Sequence, residues 1–200
     1  MRPIPTCAML TDQEGTMSGV RKARLLDAPA IARIEVETWQ TTYAGILTDK
    51  SLLNMSVARL TTSWTAELRR WPRGIVVWDG DERGLLGYGQ CGRQRDPALP
   101  YKGEVFMLYV TPDAQGMGIG RQLLLALMAN LVASNYPSAL VWVLRANPAR
   151  FFYERLGARL VMNRQIPFDG RLVDALGYGW DDLSATLDQW VRSGDRSTGP

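Results

Sequence analysis

The segment that most restricts this chain lies between a strand-like run and a helix-like run near its middle. Glu104–Val110 is apolar, with β-branched and aromatic residues, and Thr111-Pro112 stops it. Gly118–Ser134 is long and apolar at helical spacing. Between them runs Asp113-Ala114-Gln115-Gly116-Met117-Gly118-Ile119-Gly120-Arg121, with glycine at every second position of its core. A second apolar run, Leu140–Leu144, follows the helix and is too short for anything but a buried strand. Strand, glycine turn, helix and strand make a β-α-β unit, so the two strands should lie parallel with a right-handed crossover.

The rest of the chain fits around this unit. Val20–Leu25 reads as a first strand. Asp27 before Ala28-Pro29 starts a helix that continues through Ile31, Ile34, Glu35, Thr38 and Trp39. Ser56–Trp71 carries Val57, Leu60, Trp64 and Leu68 on one helical face. Ile75–Trp78 and Leu85–Cys91 form a hairpin across Asp79-Gly80-Asp81. Pro148–Leu156 is a short helix. Arg159–Pro167 and Arg171–Trp180 form a last hairpin with its turn at Asp169-Gly170, and Asp181–Val191 is a closing helix. Hairpins mixed with one crossover predict an α+β fold on a mixed sheet. Residues 1–18 and 193–200 lack periodicity and read as flexible tails around a single domain spanning 19–192.

Composition removes several functions. The chain has no histidine, which excludes histidine triads, histidine-ligated metals and a histidine base. Cys7 and Cys91 have no metal or disulfide spacing. The 23 basic residues include only three lysines, Lys22, Lys50 and Lys102, but they are scattered, so no nucleic-acid surface is expected. No apolar run is long enough for a signal peptide or a membrane span, and a cytoplasmic location is the expectation.

The glycine turn has its own chemistry. Glycines let backbone approach a ligand, and a helix start offers unpaired N–H groups and the positive end of its dipole. A phosphate or pyrophosphate suits such a place, with Arg121 adding charge. A plain tight turn is the other reading. A P-loop is disfavoured because Arg121-Gln122 follows Gly120 where Lys-Ser/Thr is required. A dinucleotide fingerprint needs its third glycine one position later and an acid near 138–143, where none stands. The second notable segment is Asn147-Pro148-Ala149-Arg150-Phe151-Phe152-Tyr153-Glu154-Arg155-Leu156-Gly157-Ala158. Here Asn147 is placed to cap a helix and Gly157 to end it. Phe152 reads as core, whereas a buried Tyr153 needs a partner for its hydroxyl.

The two segments together, Q-x-x-G-x-G at Gln115–Gly120 and N-P-A-x-x-F-Y-E-R-L-G at Asn147–Gly157, resemble the GCN5-related N-acetyltransferase (GNAT) family. Val105–Pro112 resembles its central strand, and the likeness runs from Trp39 and Tyr43 to Tyr178-Gly179-Trp180. The resemblance implies a mostly antiparallel sheet flanked by helices, with one parallel pair splayed at the cofactor. It implies acetyl-CoA (coenzyme A) as cofactor. The pantetheine arm would meet backbone groups of Leu108, Tyr109 and Val110. The pyrophosphate would meet the amides of Gln115, Gly116, Met117, Gly118, Ile119, Gly120 and Arg121, and Asn147 and Phe152 would lie on the other side. Acetyl transfer to an amine then needs a base, for which Glu104 is the candidate, a solvated strand-end charge being its alternative. An N–H near Leu108 would stabilise the oxyanion, and Tyr153 would protonate the leaving thiolate. Trp39, Tyr43 and Tyr178 are candidate walls for a small-molecule or peptide amine acceptor. Trp39 also reads as core. A homodimer is compatible with the resemblance, and a non-catalytic acetyl-CoA sensor is the competing function.

Overall fold

Alternating apolar residues in the strand runs pair into one seven-stranded sheet, in the order β1-β2-β3-β4-β5-β7-β6. The strands are β1 (Gly19–Lys22), β2 (Ile75–Asp79), β3 (Leu85–Arg93), β4 (Gly103–Val110), β5 (Ala139–Leu144), β6 (Arg159–Phe168) and β7 (Arg171–Trp180). The helices are α1 (Ala28–Thr42), α2 (Asp49–Leu53), α3 (Val57–Arg70), α4 (Ile119–Ala133), α5 (Arg150–Arg155) and α6 (Leu183–Gly194). This computed structural model describes residues 19–45, 48–168 and 170–194. The expected N-terminal tail and Asp169 of the last turn lie outside the described residues. So does the expected C-terminal tail beyond Gly194; Ser193 and Gly194 belong to α6.

All neighbouring strands are antiparallel except β4 and β5, the pair that the crossover makes parallel. α4 covers one face, packing Leu123, Leu124, Leu127 and Leu131 on Val76, Val105, Val141 and Val143. α1 and α3 cover the other face over β2–β4, where Ile31, Ile34, Trp64 and Leu68 meet Ile75, Val77 and Tyr88. The short α2 has no counterpart in the sequence reading, because five residues are too few to show a helical period. Asp27 stands before α1 as expected but does not cap it. Its carboxylate instead takes two hydrogen bonds from the Arg21 guanidinium, at 2.7 and 2.9 Å, and one from the Arg24 N–H.

Candidate active site

β4 and β5 pair over only three rows, Gly103–Ala139, Glu104–Leu140 and Val105–Val141. Beyond them the two strands separate. A bulge in β4 explains why: Gln90 of β3 opposes Met107 while Cys91 opposes Val105, leaving Phe106 as an extra residue. Such an insertion bends and twists its strand. Beyond the bulge, Tyr109 lies opposite Tyr88, and the Thr111 N–H donates to the Leu86 carbonyl at 2.9 Å. By the alternation of antiparallel bonding, Leu108 and Val110 turn their backbone groups away from β3 and into the gap. The Val110 carbonyl accepts from the Gln115 side-chain amide at 3.1 Å, which ties the following loop to the mouth of the gap.

That loop enters α4 through two left-handed glycines, Gly116 (φ 79°) and Gly118 (φ 82°). Nothing lies within 4 Å of where a Cβ would stand on either. Gly118 is the cap residue and has no side chain, so no side chain caps the first N–H groups of α4. Gly120 faces the Phe152 ring, 3.5 Å from where its Cβ would stand. Phe152 thus forms the wall opposite the helix start. Arg121, expected to add charge at the loop, has its guanidinium turned toward α6. Its guanidinium donates to the Trp190 carbonyl at 3.1 Å and lies over that indole ring, because α6 ends there.

On the face opposite α4, aromatic side chains bridge the two separated strands. Trp39 Nε1 donates to the Tyr109 hydroxyl at 3.1 Å, and the Trp39 and Tyr43 rings are 5.1 Å apart. The Tyr43 hydroxyl hydrogen-bonds with the Tyr109 hydroxyl, on β4, and with the Asn147 side-chain amide, after β5. Asn147 Oδ1 meanwhile accepts from the Ala149 N–H at 2.8 Å and shapes the entry to α5. Tyr153, buried in α5, packs edge-on against Phe152 and Trp180. Its hydroxyl makes no hydrogen bond to a described residue. Burial pushes the Tyr153, Tyr43 and Tyr109 phenols above their ordinary value, so all three keep their protons at neutral pH.

Two expectations change. Tyr178 does not line the acceptor side. It pairs with Val141 and so points to the α4 face, where it is fully buried and donates to Glu154 Oε1 at 2.5 Å. Glu104 does point to the acceptor side but is only 2% exposed, and Arg95 holds both its oxygens. The Arg95 N–H and Nε donate to Oε2, each at 3.2 Å, and Nε and Nη2 donate to Oε1. Glu104 is neither a solvated charge nor an open base. It clasps residues 94–102, the connection between β3 and β4, to the sheet. The sequence reading missed Arg95, Gln94, Trp142 and Arg164, which surround Glu104 around a cavity of about 330 Å³. The strand alternation could have shown Trp142, since Val141 and Val143 face α4 and their neighbour must face the other way.

Among the described residues no cluster could hold a metal, and no helix is long and apolar enough to cross a membrane. The model of the acetyltransferase (GNAT) family matches residues 32–158. The chain therefore belongs to the GNAT family, the class of N-acetyltransferases to which its fold and its parted strands correspond. Among its relatives is the uncharacterized N-acetyltransferase YuaI of Bacillus subtilis, 30% identical over 84% of this chain and 96% of that protein. A mycothiol acetyltransferase of Mycobacteroides abscessus is 32% identical over 66% of this chain, which spans about half of that longer protein (49%). The fold is shared with an N-acetyltransferase from Staphylococcus aureus Mu50 (TM-score 0.66, 22% identity, 84% of this chain and 99% of that one). It is also shared with yncA, a putative acetyltransferase of Salmonella typhimurium solved with acetyl-CoA (TM-score 0.62, 22% identity, 84% and 94%).

Proposed function

We propose that the chain binds acetyl-CoA in the gap between β4 and β5 and transfers its acetyl group to a primary amine. The observation that carries this reading is the alignment of two backbone surfaces that face the gap. The gap-facing groups of Leu108 and Val110 lead directly to the uncapped start of α4. An extended amide-bearing arm suits the first surface, and a diphosphate suits the second. The open space around Gly116 and Gly118 leaves room for phosphate oxygens, so the residues present fit the group.

Acetyl-CoA, when bound, supplies a thioester carbonyl for the amine to attack. The Leu108 N–H points into the gap, where it can stabilise negative charge growing on the carbonyl oxygen. Tyr153 supplies a hydroxyl without a hydrogen-bond partner among the described residues, available to the departing sulfur. Because its phenol is held above the ordinary value near 10, full transfer of its proton to a thiolate is uphill. Tyr153 therefore acts first as a hydrogen-bond donor, and the proton released by the amine completes the thiol. Trp39, Tyr43 and Tyr109 form the wall along which the acceptor approaches. Glu104 orders that approach through Arg95, and the ammonium loses its proton to water.

Calorimetry with acetyl-CoA, followed by a thiol-release assay across a panel of amines, tests the proposal. Binding together with amine-dependent thiol release is expected. Binding without turnover for any amine would leave a sensor, and no binding would remove the function altogether.

A further inference from the structure

The cavity around Glu104 has an uneven supply of hydrogen-bonding groups. It lies at the vertex where β4 and β5 part, on the face away from α4, walled by Gln94, Arg95, Asp96, Glu104, Trp142 and Arg164. Its acceptors are already engaged. Glu104 takes four contacts from Arg95. Asp96 takes the Ala98 N–H at 3.1 Å and Arg164 Nη1 at 3.5 Å. Its donors are not all used. Gln94 is only 8% exposed, its Oε1 accepts from the Asp96 N–H, and its buried Nε2 has no partner. The Arg164 guanidinium carbon stands 3.9 Å from the centre of the Trp142 indole, and among the described residues only its Nη1 is hydrogen-bonded. A buried donor without an acceptor is costly, and a guanidinium presents a planar fork of donors.

We propose that this cavity is the acceptor's specificity site and takes a carboxylate, so that the amine substrate is an amino acid or a peptide presenting a carboxylate. The inference rests on the acetyltransferase reading, since it places the second end of the acceptor at the foot of the same gap. A carboxylate supplies the oxygen that Gln94 Nε2 lacks and the paired oxygens that fit the open edge of Arg164. A polyamine or an aminoglycoside brings cations and donors, and would leave Gln94 Nε2 without an acceptor. The Arg95–Glu104 pair holds the wall in place and keeps the buried Glu104 charge compensated.

The test uses the full chain and acetylated products as probes. The ω-acetamido carboxylic acids, from N-acetylglycine to 6-acetamidohexanoate, are titrated beside their carboxamides in the presence of coenzyme A. The Trp142 indole N–H resonance, assigned with W142F, reports occupancy. At least one acid should shift that resonance and bind about tenfold or more tightly than its amide, the worth of a charge-assisted hydrogen bond. Q94L and R164L should each bring the acid-to-amide ratio close to one. R164K, which keeps the charge and loses the fork, should recover only part of it. Equal binding of acids and amides overturns the proposal, as does an unmoved Trp142 resonance at millimolar acid or a preference that survives both leucine variants. Should R164L fail to fold, Q94L decides alone. Coenzyme A binding, read separately by calorimetry, distinguishes the two levels. Its absence with a shifted Trp142 removes the transferase and keeps the carboxylate site.

Discussion

At the scale of single residues, the three glycines of the loop are not equivalent. Gly116 and Gly118 have positive φ, whereas Gly120 lies in the first turn of α4 and meets Phe152 at ordinary contact distance. A side chain at a left-handed position costs about 1–2 kcal/mol and would project a methyl into the space read as the phosphate site. G118A and G116A should therefore weaken acetyl-CoA binding at least fivefold by calorimetry, with G120A close to wild type. A G120A loss as large as that of G118A would contradict the assignment of the loop. Tyr153 invites a different measurement. Y153F should lower kcat more than tenfold while acetyl-CoA still binds, and unchanged turnover would remove Tyr153 from the chemistry. The phenol is the working form, and burial holds it neutral, so no alkaline loss of activity should appear up to about pH 10. With Glu104 clasped by Arg95, kcat/KM should rise about tenfold per pH unit from 7 to 9 as the amine deprotonates. E104Q should keep that slope and instead raise the KM of the amine. A flattened profile in E104Q would restore Glu104 as the base.

At the scale of elements, the contact of α1 with α3 contains a buried carboxylate. Glu35 is 6% exposed and accepts from Trp64 Nε1 at 2.6 Å. Burial raises its pKa from the ordinary carboxylate value, and the hydrogen bonds from Trp64 and Tyr88 only partly oppose this. The folded state then binds the Glu35 proton more tightly than the unfolded chain does. Stability from this group is fully present below the unfolded pKa and is lost as pH rises through the folded one. E35Q keeps an oxygen for Trp64 without a charge to desolvate. Its melting temperature at pH 7 should equal or exceed wild type by 2–4 °C, about 1 kcal/mol for a chain this size, and the advantage should vanish near pH 4. A clearly lower melting temperature at pH 7 would show that the charge itself is needed. Elements such as α4 and the β6–β7 hairpin were legible because their period and their glycines are local signals. The face that Tyr178 occupies was not, because it depends on the register of β7 against β5, which pairing across the sheet sets. Nor was the Arg95 clasp on Glu104, since eight residues, nearly all of irregular loop, separate the partners and carry no period.

For the molecule as a whole, the decisive feature is how little joins the two parts of the sheet. β1–β4 with α1 and α3 meet β5, β7 and β6 through three rows of parallel pairing, while α4 and α6 hold one face and the Tyr43–Asn147 contact spans the other. A ligand in the gap would bond to both strands and replace the ladder that the Phe106 bulge prevents. Binding to the folded state alone stabilises by RT ln(1 + [L]/Kd), about 2.7 kcal/mol at a hundredfold excess over Kd. For a chain of 200 residues that is a rise of roughly 5–11 °C in melting temperature. Saturating acetyl-CoA should produce this shift, and hydrogen exchange should slow at the Leu108 and Ile119–Arg121 amides, which have no acceptor among the described residues. G118A should need more ligand for the same shift, because its defect lies in the affinity and not in the number of strands bridged. A melting temperature unmoved by acetyl-CoA, or protection confined to α1 and α3, would mean that the gap closes by other means and that the ligand does not join the halves.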